Sequence, residues 1–235
     1  MSLTLFELAG AEDNRRFSPY CWRIRMALAH KGLNAHTKAW RFNEKKLLEP
    51  SGQGKVPVLV HNDTWIADSW AIAVYLENTF PDTPSLFGGP AGMALSKFHA
   101  AYGDTISGNV VRFVLLDIYE HLHPDDKAYF RQSREERFGM TLEQVVADRD
   151  AQLPAFKASL QPLRTVLKNQ PYLGGESPLY ADYAIFGVFQ WARTISDYTL
   201  LDHDDPISLW RARLLEAFNG MAGSSLGYPV PGCRA

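Results

Sequence analysis

The residues best suited to chemistry lie in one stretch, Phe17-Ser18-Pro19-Tyr20-Cys21-Trp22-Arg23-Ile24-Arg25. Serine favours the N-cap of a helix and proline its first turn. Apolar side chains recur at Cys21, Ile24, Ala27 and Leu28, one face of a helix, and Gly32 closes the pattern after His30 and Lys31. A helix N-terminus carries unpaired N–H groups and partial positive charge, so it stabilises an anion. A hydroxyl placed there either caps the helix or hydrogen-bonds a bound thiolate, and the local sequence leaves both readings of Ser18 open. Two further places add polar groups. Val56-Pro57 stands at the entrance of an apolar run, and Asp68-Ser69 precedes a periodic segment over 71–77. Hydroxyls, backbone amides and one carboxylate suit an extended zwitterion with a carboxylate, an ammonium and a thiol.

Cys21 lies on the apolar face and reads as a core residue. A resolving cysteine without an attacking partner does little redox chemistry. Cys233 is the other of two cysteines, too few for a secreted disulfide framework, so a reducing compartment is expected.

The elements that must position these groups follow from periodicity. Leu3–Leu8 predicts a buried strand, 9–16 a loop, and Ala35–Trp40 a second strand. Arg41–Pro50 predicts a short or irregular helix, and 52–55 a flexible turn. Val56–Val60 predicts a third strand with Pro57 at its start or edge, where no ladder bond is lost. His61-Asn62-Asp63 predicts a hairpin turn into Thr64-Trp65-Ile66, and the turn accounts for Asn62-Asp63-Thr64 better than glycosylation does. The order strand, helix, strand, short helix, hairpin, helix predicts a mixed sheet with helices on both faces. Three prolines and two glycines over 80–90 predict a linker. Beyond it the spacing predicts helices over 93–103, 108–121, 134–153, 153–167, 182–194 and 206–217, the fifth apolar enough to be buried.

Bulk properties narrow the function classes. The chain has 235 residues, and 24 lysines and arginines against 26 acids leave a net charge of −2, which favours neither nucleic acid nor an anionic membrane as partner. No signal peptide and no membrane-spanning apolar run are read from the sequence, so a cytoplasmic protein is expected.

In this order and spacing the motifs resemble those of the cytosolic glutathione transferases over nearly the whole chain. Ser18-Pro19-Tyr20-Cys21 resembles the Cys-Pro-Tyr-Cys of glutaredoxins with the first cysteine replaced. Residues 55–59, Lys-Val-Pro-Val-Leu, resemble the family's cis-proline loop. Asp68-Ser69 resembles the acid–serine motif that opens a helix, and Gly174-Gly175 with Ala181-Asp182-Tyr183 resembles the motif of its helical domain. The resemblance implies a thioredoxin-like α/β domain over residues 1–80 that binds glutathione, a linker over 81–91, and an all-α domain over 92–235 that lines an electrophile site. It implies glutathione as co-substrate, no metal, and a homodimer.

By the same resemblance Ser18 donates to the glutathione sulfur, Val56 pairs with the cysteinyl backbone beside a cis bond to Pro57, and Ser69 takes the γ-glutamyl carboxylate. Asp68 faces the ammonium. Lys55, with Trp40 and Arg41 as further candidates, reaches the glycyl carboxylate. Tyr20, Tyr102, Phe113 and Tyr119 are the candidate lining of the electrophile pocket, whose aromatic walls favour a flat apolar substrate. Asp182 is expected to be structural. Leu179, where the family has a capping hydroxyl or amide, implies an absent or rebuilt capping box. Ser-Pro-Tyr-x-Trp-Arg, Asp-Ser-Trp-x-Ile-Ala-x-Tyr-Leu and the 133–135 and 141–143 segments resemble the bacterial β-etherase group and its fungal relatives. That points to glutathione-dependent cleavage of a β-aryl ether. A non-catalytic glutathione-fold binding module is the alternative.

Overall fold

The computed structural model describes residues 2–230; Cys233 lies outside them. The N-terminal third runs β1 (Leu3–Leu8), α1 (Pro19–His30), β2 (His36–Trp40), a 3-10 turn (Lys45–Ser51), β3 (Val58–His61), β4 (Thr64–Ala67) and α2 (Ser69–Thr79). The sheet order is β2-β1-β3-β4, with β1 and β2 parallel and the other pairs antiparallel. This is the mixed sheet that the element order predicts, in the thioredoxin-like arrangement that the resemblance implies.

The register decides where the functional residues meet. Phe6 pairs with Val58, and Val58 with Ala67. The exit of β1, the entrance of β3 and the exit of β4 therefore lie at one end of the sheet. The turn to α1, the Val56-Pro57 peptide and the start of α2 project from that end. The Val56–Pro57 bond is cis.

Helices α3 (Pro90–His121), α4 (Pro124–Phe138), α5 (Leu142–Val146), α6 (Arg149–Ser159), α7 (Gln161–Leu167), α8 (Tyr180–Ile195) and α9 (Pro206–Gly220) complete the described chain. Helix α8 packs against α3 on one side and α1 on the other. That explains its nearly unbroken apolar sequence, since a helix covered all round has no face to leave polar.

Three expected boundaries are corrected. The segments 93–103 and 108–121 form one continuous helix, α3, because Gly103 lowers helix propensity without stopping the helix. A Cβ there would stand 2.9 Å from the Ala184 carbonyl oxygen of α8, so the glycine permits close packing. The predicted helix over 134–153 is three elements. Gly139 ends α4 at a φ of 68°, and Thr141 opens α5 in a capping box with Gln144. The segment 153–167 is divided at Leu160 between α6 and α7. In α9, helical geometry also fails from Ala217, with Phe218 and Asn219 at positive φ.

The rebuilt cap at Leu179 is resolved by Asp182. Its buried carboxylate accepts the N–H groups of Leu179 at 3.0 Å, Leu173 at 2.7 Å and Gly174 at 2.9 Å, and the Trp210 indole N–H at 2.8 Å. Leu179 offers no side-chain acceptor, so only the acidic half of a capping box exists, and the carboxylate organises the preceding turn as well.

Candidate functional site

Ser18 caps α1 in an extended conformation, and its Oγ accepts the Cys21 N–H at 3.3 Å. The side chain is buried at the end of the sheet. A hydroxyl has one donor hydrogen and two acceptor lone pairs. Capping therefore occupies one lone pair and leaves the proton available, so the two roles that the sequence left open are compatible. Cys21, three residues on, is sealed inside. Burial pushes its thiol up to about 12, so it stays protonated.

A cleft of about 510 Å³ opens in front of this turn. Phe17, Ser18, Pro19 and Tyr20 form its floor, and Trp40, Phe42, Lys45 and the 54–56 loop form one wall. The opposing wall is α3, through Asp104, Ser107, Gly108, Val111, Leu115 and Ile118. Those positions recur every three or four residues and so fall on one helix face. Tyr129, Phe130, Arg134 and Arg137 of α4, with Trp191 of α8, close the far side.

Tyr20, Lys55 and Val56 line the cleft. Burial and the adjacent Asp104 carboxylate hold the Tyr20 phenol above its ordinary range. Pro57 is buried just behind Val56. Asp68 and Ser69 are not on the cleft wall but flank it through the β3–β4 register. Asp68 caps α2, its Oδ1 accepting from Trp70 N at 2.9 Å and Ala71 N at 3.1 Å, and it does so at a φ of 76°. With ψ at 133° this lies outside the left-handed helical region, in positive-φ space that favours glycine, so the backbone here is strained. Ser69 is buried in the first turn, with its carbonyl held by the Tyr180 hydroxyl at 3.1 Å.

The remaining expectations are corrected. Arg41 is turned away from the cleft, its guanidinium held by the Gly10 and Ala11 carbonyls and by Asp13. Trp40 lines the cleft with its ring, but its one N–H donor is fixed on the Glu44 carbonyl at 2.9 Å. Tyr102, Phe113 and Tyr119 lie off the cleft. Tyr102 donates to the Ser159 carbonyl, Phe113 is buried against Phe156 and Tyr198, and Tyr119 is covered by Lys127 and Arg131. Phe113 is two residues from Val111, which on a helix puts it on the opposite face. Sequence reading placed the right helix at the cleft but picked its aromatic residues rather than its phase.

Lys45, Arg134 and Arg137 were not anticipated. Lys45 sits over the Tyr129 ring at 4.5 Å on the same wall as Lys55. The signal available was a lysine in the irregular stretch after β2, at the cleft end of the sheet.

Three contacts fix the floor against the helical wall. Arg23, buried, pairs with Asp104 of α3 at 2.8 Å. Asp126 of α4 accepts the Phe42 and Asn43 N–H groups at 3.2 and 3.0 Å. His30 at the end of α1 meets the Tyr183 hydroxyl of α8 at 2.7 Å.

Comparison with known proteins agrees with this fold. Residues 17–79 match the family model described as glutathione S-transferase, N-terminal domain, and residues 94–207 match glutathione S-transferase, C-terminal domain. A probable glutathione transferase of Aplysia californica is 37% identical over 71 residues, covering 29% of this chain and 77% of that protein. Glutathione S-transferase U28 of Arabidopsis thaliana is 27% identical over 207 residues, 85% of this chain and 81% of that one. The crystal structure of a Ceriporiopsis subvermispora glutathione S-transferase in complex with glutathione superposes with a TM-score of 0.81 at 22% identity, over 93% of this chain and 97% of that one. The chain belongs to the glutathione S-transferase family, with glutathione as its co-substrate.

Proposed function

We propose that this glutathione transferase activates the thiol of glutathione with Ser18 and directs the thiolate at a flat aromatic electrophile held against α3 and α4. The observation that carries the reading is the state of the Ser18 hydroxyl. Its oxygen accepts the Cys21 N–H, which fixes the oxygen in the floor of the cleft and leaves the O–H as a donor. A free thiol titrates near 8.5, and each unit of depression is about 1.4 kcal/mol in favour of thiolate. One hydroxyl donor together with the α1 N-terminus supplies interaction of that size. The thiolate then forms a bond to an electrophilic carbon, and the leaving group departs with its electron pair.

Glutathione lies across the end of the sheet in this reading. Residues 1–80 hold it and residues 92–235 hold the electrophile. The Val56 backbone pairs with its cysteinyl unit in strand fashion beside Pro57. Ser69 and its N–H take the γ-glutamyl carboxylate, and the outer oxygen of Asp68 faces the ammonium. Lys55, joined by Lys45, takes the glycyl carboxylate. Phe42, Tyr129 and Phe130 support an aryl ring.

Conjugation of 1-chloro-2,4-dinitrobenzene tests the assignment. Ser18→Ala is expected to lower kcat/KM by at least tenfold and to raise the apparent pKa of the pH–rate profile. Ser18→Cys is expected to introduce thiol–disulfide exchange. Strong exchange activity in the unsubstituted protein would overturn the placement of the thiolate. Retention on a glutathione column with no turnover of any electrophile would instead favour the non-catalytic binding module.

The finer reading, cleavage of a β-aryl ether, rests on the resemblance at 18–23, 68–76 and 133–143. Incubation with glutathione and a β-aryl ether model compound is expected to release a phenol, and its absence removes that reading alone. The protein is proposed to be a cytoplasmic homodimer. Exposed Leu95 and Phe98 on α3 support an association surface, and sedimentation equilibrium checks it.

A further inference from the structure

The charge of the cleft is one-sided. Lys45 and Lys55 stand on one wall, and Arg134 and Arg137 of α4 close the far side. Asp104 is the carboxylate among the described lining residues, and Arg23 already holds it at 2.8 Å. Glutathione brings a glycyl carboxylate for the lysine wall, which leaves the arginine side without a matching anion.

Arg134 is the more constrained of the two arginines. It is partly buried, and its guanidinium carbon lies 4.7 Å from the centre of the Phe130 ring and 5.6 Å from that of Phe42. One N–H is donated to Ser133 Oγ at 3.0 Å, on its own helix. Among the described residues no carboxylate pairs with it. Arg131, one turn earlier on α4, has two: Glu135 and Glu143, each at 2.9 Å. Burial without a counter-ion depresses the Arg134 guanidinium below its ordinary range. A guanidinium lying against two rings has a limited set of orientations, and its remaining N–H groups form a planar fork that matches a carboxylate.

We propose that Arg134 is the anion-recognition residue of the electrophile pocket, and that the preferred electrophile is a flat aryl compound bearing a carboxylate. The ring would rest on the Phe42–Phe130 wall with the carboxylate taken by the Arg134 fork. The inference rests on the cleft being the site where glutathione meets its electrophile. It adds a substrate charge that aromatic walls alone do not imply.

The test uses two glutathione conjugates that differ in one group. One carries a 4-carboxy-2,6-dinitrophenyl substituent on sulfur, and the other carries its methyl ester. Calorimetric titration into the full chain is expected to give about tenfold or greater preference for the carboxylate, the size of one charge-assisted hydrogen-bonded pair. Arg134→Gln is expected to bring that ratio close to one, and Arg134→Lys to leave an intermediate ratio, because the charge remains and the fork is lost. The rate accelerations over the uncatalysed reaction with 4-chloro-3,5-dinitrobenzoate and its methyl ester are expected to follow the same order.

Equal binding of the two conjugates by the unsubstituted protein overturns the proposal. So does an equal loss of both in Arg134→Gln, which would place Arg134 in the glutathione half of the site. Binding is read without turnover, so the outcome is independent of Ser18. A Ser18→Ala protein that cannot conjugate but still prefers the carboxylate leaves this inference standing, and an active protein with no preference removes it alone.

Discussion

Gly187 of α8 lies against the carbonyl of Pro19, the residue that follows Ser18. A Cβ at position 187 would stand 2.3 Å from that oxygen, inside any permitted contact. The first turn of α1, which carries the candidate thiolate donor, is therefore seated directly on the backbone of the helical half.

Gly187→Ala is expected to force α1 and α8 apart. Overpacking of this kind costs about 1–3 kcal/mol, and urea denaturation reads it. Because Ser18 moves with Pro19, kcat/KM with glutathione falls as well. A variant with normal stability and activity would show that the seam accommodates a methyl group and does not hold Ser18.

Cys21 is expected to be inert. With its thiol near 12, the thiolate fraction at pH 8 is on the order of one in ten thousand. In a Cys233→Ser background, native protein treated with iodoacetamide at pH 8 stays unmodified at Cys21, and urea exposes it. Rapid alkylation of the folded protein would contradict the burial described for the α1–sheet interface.

His30 gives the folded protein an acid-sensitive joint. It bonds to the Tyr183 hydroxyl and to the Ser85 carbonyl at 3.0 Å, and burial lowers its pKa below 6.5. The unfolded state then takes up a proton at higher pH than the folded state does. The stabilising contribution is complete above pH 6.5 and declines as pH falls from there toward the folded value. Burial shifts His121 the same way. His30→Gln is expected to flatten thermal-melting temperature against pH between 7 and 5, and the double variant with His121→Gln more so. Parallel profiles for all three proteins would reject this assignment.

Asp182→Ala is expected to destabilise the protein by about 3–5 kcal/mol, because four N–H donors lose a buried acceptor together. Asp182→Asn keeps the shape and one oxygen, so its loss is smaller. Denaturant titration orders the two, and the reverse order would mean that packing rather than hydrogen bonding dominates there.

The sequence carried the sheet half clearly. Its strands are short apolar runs separated by strong turn residues, and local chemistry determined the Ser18 cap, the placement of Pro57 and the Asp68 cap. The helical half was legible as helices but not as boundaries. Gly103 and Gly108 look like breaks, yet they sit inside α3, one for packing and one facing the cleft. Gly139, in contrast, is a true stop. Periodicity alone does not separate these cases, because tertiary approach decides whether a glycine ends a helix or admits a neighbour. The same limit explains the pocket: Phe113 and Tyr119 are on the correct helix, but which face meets the cleft is fixed by α8 and α1, far away in sequence. Arg134 was visible only within the 133–135 segment quoted for its resemblance, where it carried no role.

Helix α3 divides its labour by angle. The stripe from Asp104 to Ile118 looks into the cleft, while Ile106, Val110, Phe113 and Val114 are buried. Positions 104, 107, 108 and 111 of the first stripe can change and reshape the cavity without entering the core, whereas Leu115 and Ile118 belong to both. A single change at Gly108, where a Cβ would meet nothing within 4 Å, alters the lining of the cleft without touching the sheet or the first turn of α1.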